Sequence, residues 1–170
     1  MQSLLAKEFM EQSVFRLKEN TPRIAKCLNE LIESEIWLRP NEASNSIGNL
    51  ILHLCGNIRQ YAISSLGGKP DTRKRDEEFA AKGGYNRLQL LEMLESTVVE
   101  AINTILESNE ENLLKTRMVQ GFHLSGTGII IHVTEHFSYH TGQIAFMTKM
   151  LKGKDLGFYS GIDLNLENEC

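Results

Sequence analysis

The sequence predicts an all-α protein, a four-helix bundle with no sheet. Apolar residues recur three, four, seven or eight positions apart through four long stretches, and no stretch shows the alternation of a half-buried strand. The only three prolines, Pro22, Pro40 and Pro70, all fall in the first half and leave long uninterrupted spans.

The first helix is expected over residues 3–31, with Phe9, Leu17, Ile24, Leu28 and Leu31 on one side. Thr21-Pro22 reads as the cap and first position of a restarted helix, so a kink or break is expected there. Residues 32–45 connect, with Trp37 and Pro40 in an extended passage. The second helix starts near Ser44 or Ser46, either of which can cap it, and runs to 66 on a stripe of Ile47, Leu50, Ile51, Leu54, Ile58 and Tyr61. Gly67-Gly68 and Pro70 end it. Residues 67–85 read as a polar, glycine-rich loop, long enough to serve as a lid. The third helix covers 86–107, with Leu88, Leu91, Leu94, Val98, Ile102 and Ile105 inward. A second long connection, 108–124, leads to a fourth helix over 126–151, stopped by Gly153. The expected organisation is one domain, 1–155, and a C-terminal tail, 156–170.

Composition narrows the function. Hydrophobic residues at 41% against 24% charged describe a globular chain rather than a disordered one. A net charge of −4 without a broad basic patch argues against nucleic acid. Apolar runs are short, such as Ile129-Ile130-Ile131, so no membrane span is expected, and the N-terminal apolar stretch is too brief for a signal peptide. Cys27, Cys55 and Cys170 are odd in number and scattered, neither a disulfide framework nor a metal pair, which fits a reducing cytoplasm.

The chemistry concentrates in the fourth helix, where His132, His136 and His140 recur every four residues, about 40° apart on one face. His136 and His140 share that face with Ile129, Val133, Ile144, Met147 and Leu151, so both point at the core, and His132 lies at the edge of the stripe. Buried imidazoles need partners, and a shared metal ion or buried polar groups would each serve. The inverted protease pattern His132-x-x-Glu135-His136 is present literally, but Glu135 falls on the polar face. His123 reads as a surface residue. His53 lies on the second helix in a polar strip with Asn49, Asn57 and Gln60, which either lines a pocket or faces solvent. Cys55, two positions on, projects elsewhere and is a poor ligand.

His53 within Asn45-Ser46-Ile47-Gly48-Asn49-Leu50-Ile51-Leu52-His53-Leu54, followed by His136-x-x-x-His140-Thr141-Gly142-Gln143, resembles the DinB-like superfamily of damage-inducible, metal-binding four-helix proteins. The run Arg73-x-Arg75-Asp76-x-Glu78-Phe79 is similar to one branch of it. The resemblance spans the first helix to Tyr159. It implies a divalent ion, zinc or nickel, held by His53, His136 and His140, and a homodimer. Some relatives are thiol-cofactor S-transferases or isomerases, and others have been described as hydrolases.

Two functions follow. One is a metal-dependent transferase or hydrolase acting on a small molecule, with a low-molecular-weight thiol as a candidate cofactor. The other is a non-enzymatic metal-binding module in stress response or interaction. No cysteine shares the histidine face and no acid on the fourth helix points inward, which favours an open centre of catalytic type. No catalytic residue can be named. Arg75, with Arg73, is a candidate to hold an anionic substrate, because the guanidinium fork suits carboxylates. The simpler reading has Asp76 capping a short helix and both arginines pairing with surface acids. Tyr61, Tyr139 and Gln143 are candidates for hydrogen bonds near the metal.

Overall fold

The computed structural model describes residues 3–168. Four long helices form where the periodicity placed them: α1 (Leu4–Glu30), α3 (Ile47–Ile58, extended by a π-helical segment, Arg59–Leu66), α5 (Arg87–Leu106) and α7 (Gly126–Lys152). Short helices α2 (Glu33–Ile36), α4 (Arg75–Ala80) and α6 (Glu110–Leu114) occupy the connections.

Local chemistry accounts for the ends. Ser46 and Asn49 cap α3 reciprocally, Asn86 caps α5, Ser125 caps α7, and Gly153 closes α7 in the left-handed conformation. The expected break at Pro22 is absent, and α1 runs on through it. Thr21 turns its hydroxyl onto the Leu17 carbonyl, and Leu17, Ile24, Cys27 and Leu28 on either side of the proline are all fully buried. Packing on both sides outweighs the one backbone bond that proline forfeits.

The expectation of no sheet is also corrected. Strands β1 (Thr116–Val119) and β2 (Phe122–Ser125) form an antiparallel hairpin. Its two-residue turn, Gln120-Gly121, has both φ angles positive, the geometry that suits the twist of paired strands. Four residues per strand are too few for alternation to stand out from a loop.

Around the bundle, α1 and α3 each pack against both α5 and α7. The order is therefore α1–α5–α3–α7, with α1 and α3 on one diagonal and α5 and α7 on the other. The connections after α1 and after α5 must cross the bundle end, which explains their length. The core combines Leu17, Ile24 and Leu28 with Ile51, Leu54 and Ile58, Leu90 and Leu94, and Val133, Phe137 and Ile144. On α5 Leu94, Val98, Ile102 and Ile105 are buried as expected, but in the first turn Leu90 takes the inward place and Leu88 is 67% exposed.

Residues 67–85 are no free lid. Asn49 Nδ2 on α3 donates to the carbonyls of Glu78 and Ala81, Arg39 bonds the Phe79 carbonyl, and Trp37 Nε1 donates to the Tyr85 carbonyl. The Trp37 ring lies where a Cβ on residue 48 would be, so Gly48 permits this approach. Helix α4 is thereby held against α3 as a wall. In the tail, Leu156 is buried and Phe158 packs on the core.

Candidate metal centre

The centre is built where α3 and α7 meet α4. On α7 the buried stripe is centred on Val133, Phe137, Thr141 and Ile144, so His136 and His140 lie at its margin rather than in its middle. His140 is 8% exposed and His136 half-buried, placed between the core and a cavity. His53 comes from α3, 6% exposed. One ring nitrogen from each of His53, His136 and His140 lies within 4.8 Å of the others, a grouping that could hold a metal ion.

The polar strip is buried at Asn49, His53 and Asn57, each with its own task, and half-buried at Gln60, which bonds Asp71 and Arg73. Asn49 grips α4, His53 enters the histidine cluster, and Asn57 Nδ2 lies 3.1 Å from His132 Nε2. His132 is thus outside the cluster, stacked on Tyr61, whose hydroxyl donates to Gln120. Glu135 is exposed and His123 is exposed on β2, so neither joins the site. Cys55 is buried with its thiol pushed up to about 12, mainly by burial, and it is no ligand. Cys170 lies outside the described residues.

Proton positions follow from the partners. His53 Nδ1 is 3.0 Å from Glu78 Oε2. A carboxylate has no proton to give, and the Arg73 terminal nitrogen 3.1 Å from Nδ1 is already donating to Glu78 Oε2, so Nδ1–H donates to Glu78 and the lone pair sits on Nε2. That lone pair faces His136 Nε2 at 2.9 Å. Nδ1 of His140 donates to Gln143 Oε1 at 2.7 Å, which leaves its own lone pair on Nε2. Gln143 Nε2 in turn donates to Tyr139. Burial, then the neighbouring imidazoles, hold His136 down to about 3. Burial also lowers His140 and His132, with Gln143 opposing it at His140. Neutral imidazoles are what a divalent ion requires.

Behind His53 stands a buried ion pair. Arg73 donates to both oxygens of Glu78, from Nε at 2.7 Å and from its terminal nitrogen at 2.8 Å, and its side chain is 2% exposed. Burial works to raise the Glu78 pKa, but hydrogen bonds and charge from Arg73 and His53 outweigh it, and the group titrates below its ordinary value. A Cβ on Gly56 would lie 1.9 Å from Glu78 Oε1, so the carboxylate reaches His53 only across a glycine. Sequence reasoning missed Glu78, although Gly56, three residues after His53 on the same helix face, marked a point of close approach.

The expected surface pairing of the two arginines is corrected as well. Arg73 is buried on Glu78, the capping position of α4 is Lys74 rather than Asp76, and Arg75 goes elsewhere. Arg75 lies over the Phe79 ring at 4.7 Å, on the wall of a cavity of about 670 Å³ that also exposes His53, His140, Tyr139 and Gln143.

Residues 4–161 match the family described as "Protein of unknown function (DUF1572)". The chain belongs to the DUF1572 family. No curated protein matches it. Solved structures share the fold of this DUF1572 chain at low identity. A conserved protein from Enterococcus faecalis aligns with a TM-score of 0.72 and 15% identity, over 85% of this chain and 97% of that one. The DinB-like protein YjoA from Bacillus subtilis aligns at 0.66 and 16%, over 87% and 97%. A mutant of the mycothiol-dependent maleylpyruvate isomerase aligns at 0.54 and 15%, over 87% of this chain and 60% of that one. The DUF1572 chain is thus DinB-like in fold. No helix among its described residues is long and apolar enough to cross a membrane.

Proposed function

We propose that the protein binds one divalent metal ion, zinc or nickel, through His53, His136 and His140, and uses it as an enzyme of thiol S-transferase or hydrolase type on a small molecule. The observation that carries this is the 2.9 Å approach of His53 Nε2 to His136 Nε2, with His140 beside them. Two ring nitrogens aimed at each other share a single proton between them, whereas an ion would use both lone pairs. Borderline donors of this kind suit zinc and nickel. Glu78 fixes the His53 tautomer that such binding needs, as carboxylates behind metal-bound histidines commonly do.

The three ligands come from protein, and among the described residues no fourth histidine, cysteine or acid joins them. An open position beside a cavity is the arrangement of catalytic rather than structural zinc. The ion would supply Lewis acidity, lowering the pKa of bound water to about 7 or stabilising a thiolate. A thiol-dependent isomerase among the fold neighbours supports the thiol branch.

Metal analysis of the purified protein tests the reading, followed by cobalt substitution. Stoichiometric metal is expected in the wild type and none in folded His136→Ala and His140→Ala variants. Cobalt spectra should shift with acetohydroxamate or a small thiol. Spectra indifferent to all such ligands would indicate a closed centre and transfer support to a non-enzymatic metal-binding module.

A further inference from the structure

The cavity in front of the histidines has a charge pattern that selects its ligand. We propose that it takes a small amphipathic carboxylate, whose charge is held by Arg75 and whose apolar body lies along the wall toward the three-histidine centre. This deepens the metal-centre reading and rests on it for the position of the reacting end.

Among the described residues Arg75 is the only fixed charge lining this cavity, and no aspartate or glutamate lines it. The guanidinium sits 4.7 Å over the Phe79 ring, and that ring is 4.8 Å from the His53 ring. The cation is therefore one aromatic ring away from the histidines. The contact with Phe79 holds the guanidinium through its cation–π attraction, and none of its donors is hydrogen-bonded among the described residues.

No carboxylate among the described residues comes within ion-pair distance of Arg75. Of its acidic neighbours, Glu77 pairs with Lys74, Glu78 faces the far side of His53 and is neutralised by Arg73, and Asp76, exposed in the first turn of α4, makes no ion pair with Arg75. The rest of the wall is mixed: Leu50, Phe146, Met147 and Met150 give it an apolar stretch, and Ser44 and Asn45 are polar. A cationic ligand would meet no acid here, and a neutral one would leave Arg75 unpaired. A single cation beside an apolar stretch of wall matches a monoanion with a hydrocarbon body, and the planar fork matches a carboxylate. The volume of about 670 Å³ admits such a molecule with room for a partner at the centre.

The test compares hexanoate with hexanamide, by calorimetry and by NMR titration, on wild-type protein and Arg75→Gln, each metal-free and zinc-loaded. In metal-free wild type hexanoate should bind about tenfold more tightly than hexanamide, the share of one charge-assisted contact. Arg75→Gln should abolish that preference while leaving zinc content unchanged. Equal binding of the two probes, no saturable hexanoate binding, or a preference that survives Arg75→Gln would overturn the proposal. A preference confined to zinc-loaded protein and indifferent to Arg75 would assign the carboxylate to the metal, overturning this inference but not the metal-centre reading. An Arg75-dependent preference in a protein that takes up no zinc would support the carboxylate site and overturn the metal reading alone.

Discussion

Replacing Glu78 with glutamine removes one negative charge and almost no volume. In the structure that carboxylate accepts two bonds from Arg73, at 2.7 and 2.8 Å, and one from His53 at 3.0 Å. Glutamine can keep one acceptor, but its amide nitrogen would face a donor. Arg73, with its side chain 2% exposed, would be left as a buried cation without a counter-charge. Breaking one side of a buried pair costs about 3–5 kcal/mol. At this chain length that corresponds to a fall in Tm of about 6–20 °C. Losing the carboxylate behind a metal-bound histidine lowers metal affinity about 10- to 100-fold. Differential scanning fluorimetry and competition with a chromophoric chelator measure the two effects separately. The double variant Arg73→Met/Glu78→Leu separates them further: an apolar pair of similar size should recover most of the Tm but not the metal affinity. Wild-type Tm and metal affinity in Glu78→Gln would refute the claim that this pair orients His53.

Gly56→Ala places a Cβ 1.9 Å from Glu78 Oε1, and because backbone holds α4 in place the carboxylate must withdraw from His53. Zinc affinity should fall in the same direction as for Glu78→Gln, and unchanged affinity would contradict the close approach. In metal-free protein His136 is held down to about 3 against an ordinary 6.5, so the unfolded chain takes up a proton that the folded one refuses. Its contribution to stability is complete above pH 6.5 and is lost progressively as pH falls toward 3; urea unfolding between pH 7.5 and 5 should show this, with a shallower dependence in His136→Gln. A homodimer, expected from the DinB-like resemblance, would give a light-scattering mass of twice 19.2 kDa, and a mass of 19.2 kDa would exclude it.

The long helices were legible because their cause is local. Burial on one side of a helix repeats every three or four residues, and Ser46, Asn86, Ser125 and Gly153 end it with side-chain or backbone chemistry confined to one turn. The pairing of His136 with His140 was legible for the same reason. Their exact orientation was not: the spacing placed both histidines inside the apolar stripe, but the packing of α7 against both α1 and α3 turns Phe137 inward and leaves the histidines at the margin. The Asn49–His53–Asn57 strip was ambiguous, since a polar row reads alike whether it faces water or buried partners.

The partners themselves came from tertiary structure: Glu78 and Arg73 from a segment that reads as loop, and His132 from another helix. The ring order α1–α5–α3–α7, the hairpin and the anchoring of α4 have the same origin. Periodicity along one chain segment determines which face of a helix is apolar. It carries no information about which other segment covers that face, and it is that choice, made by packing at a distance, that brings Glu78 to His53 and Arg75 to the cavity wall.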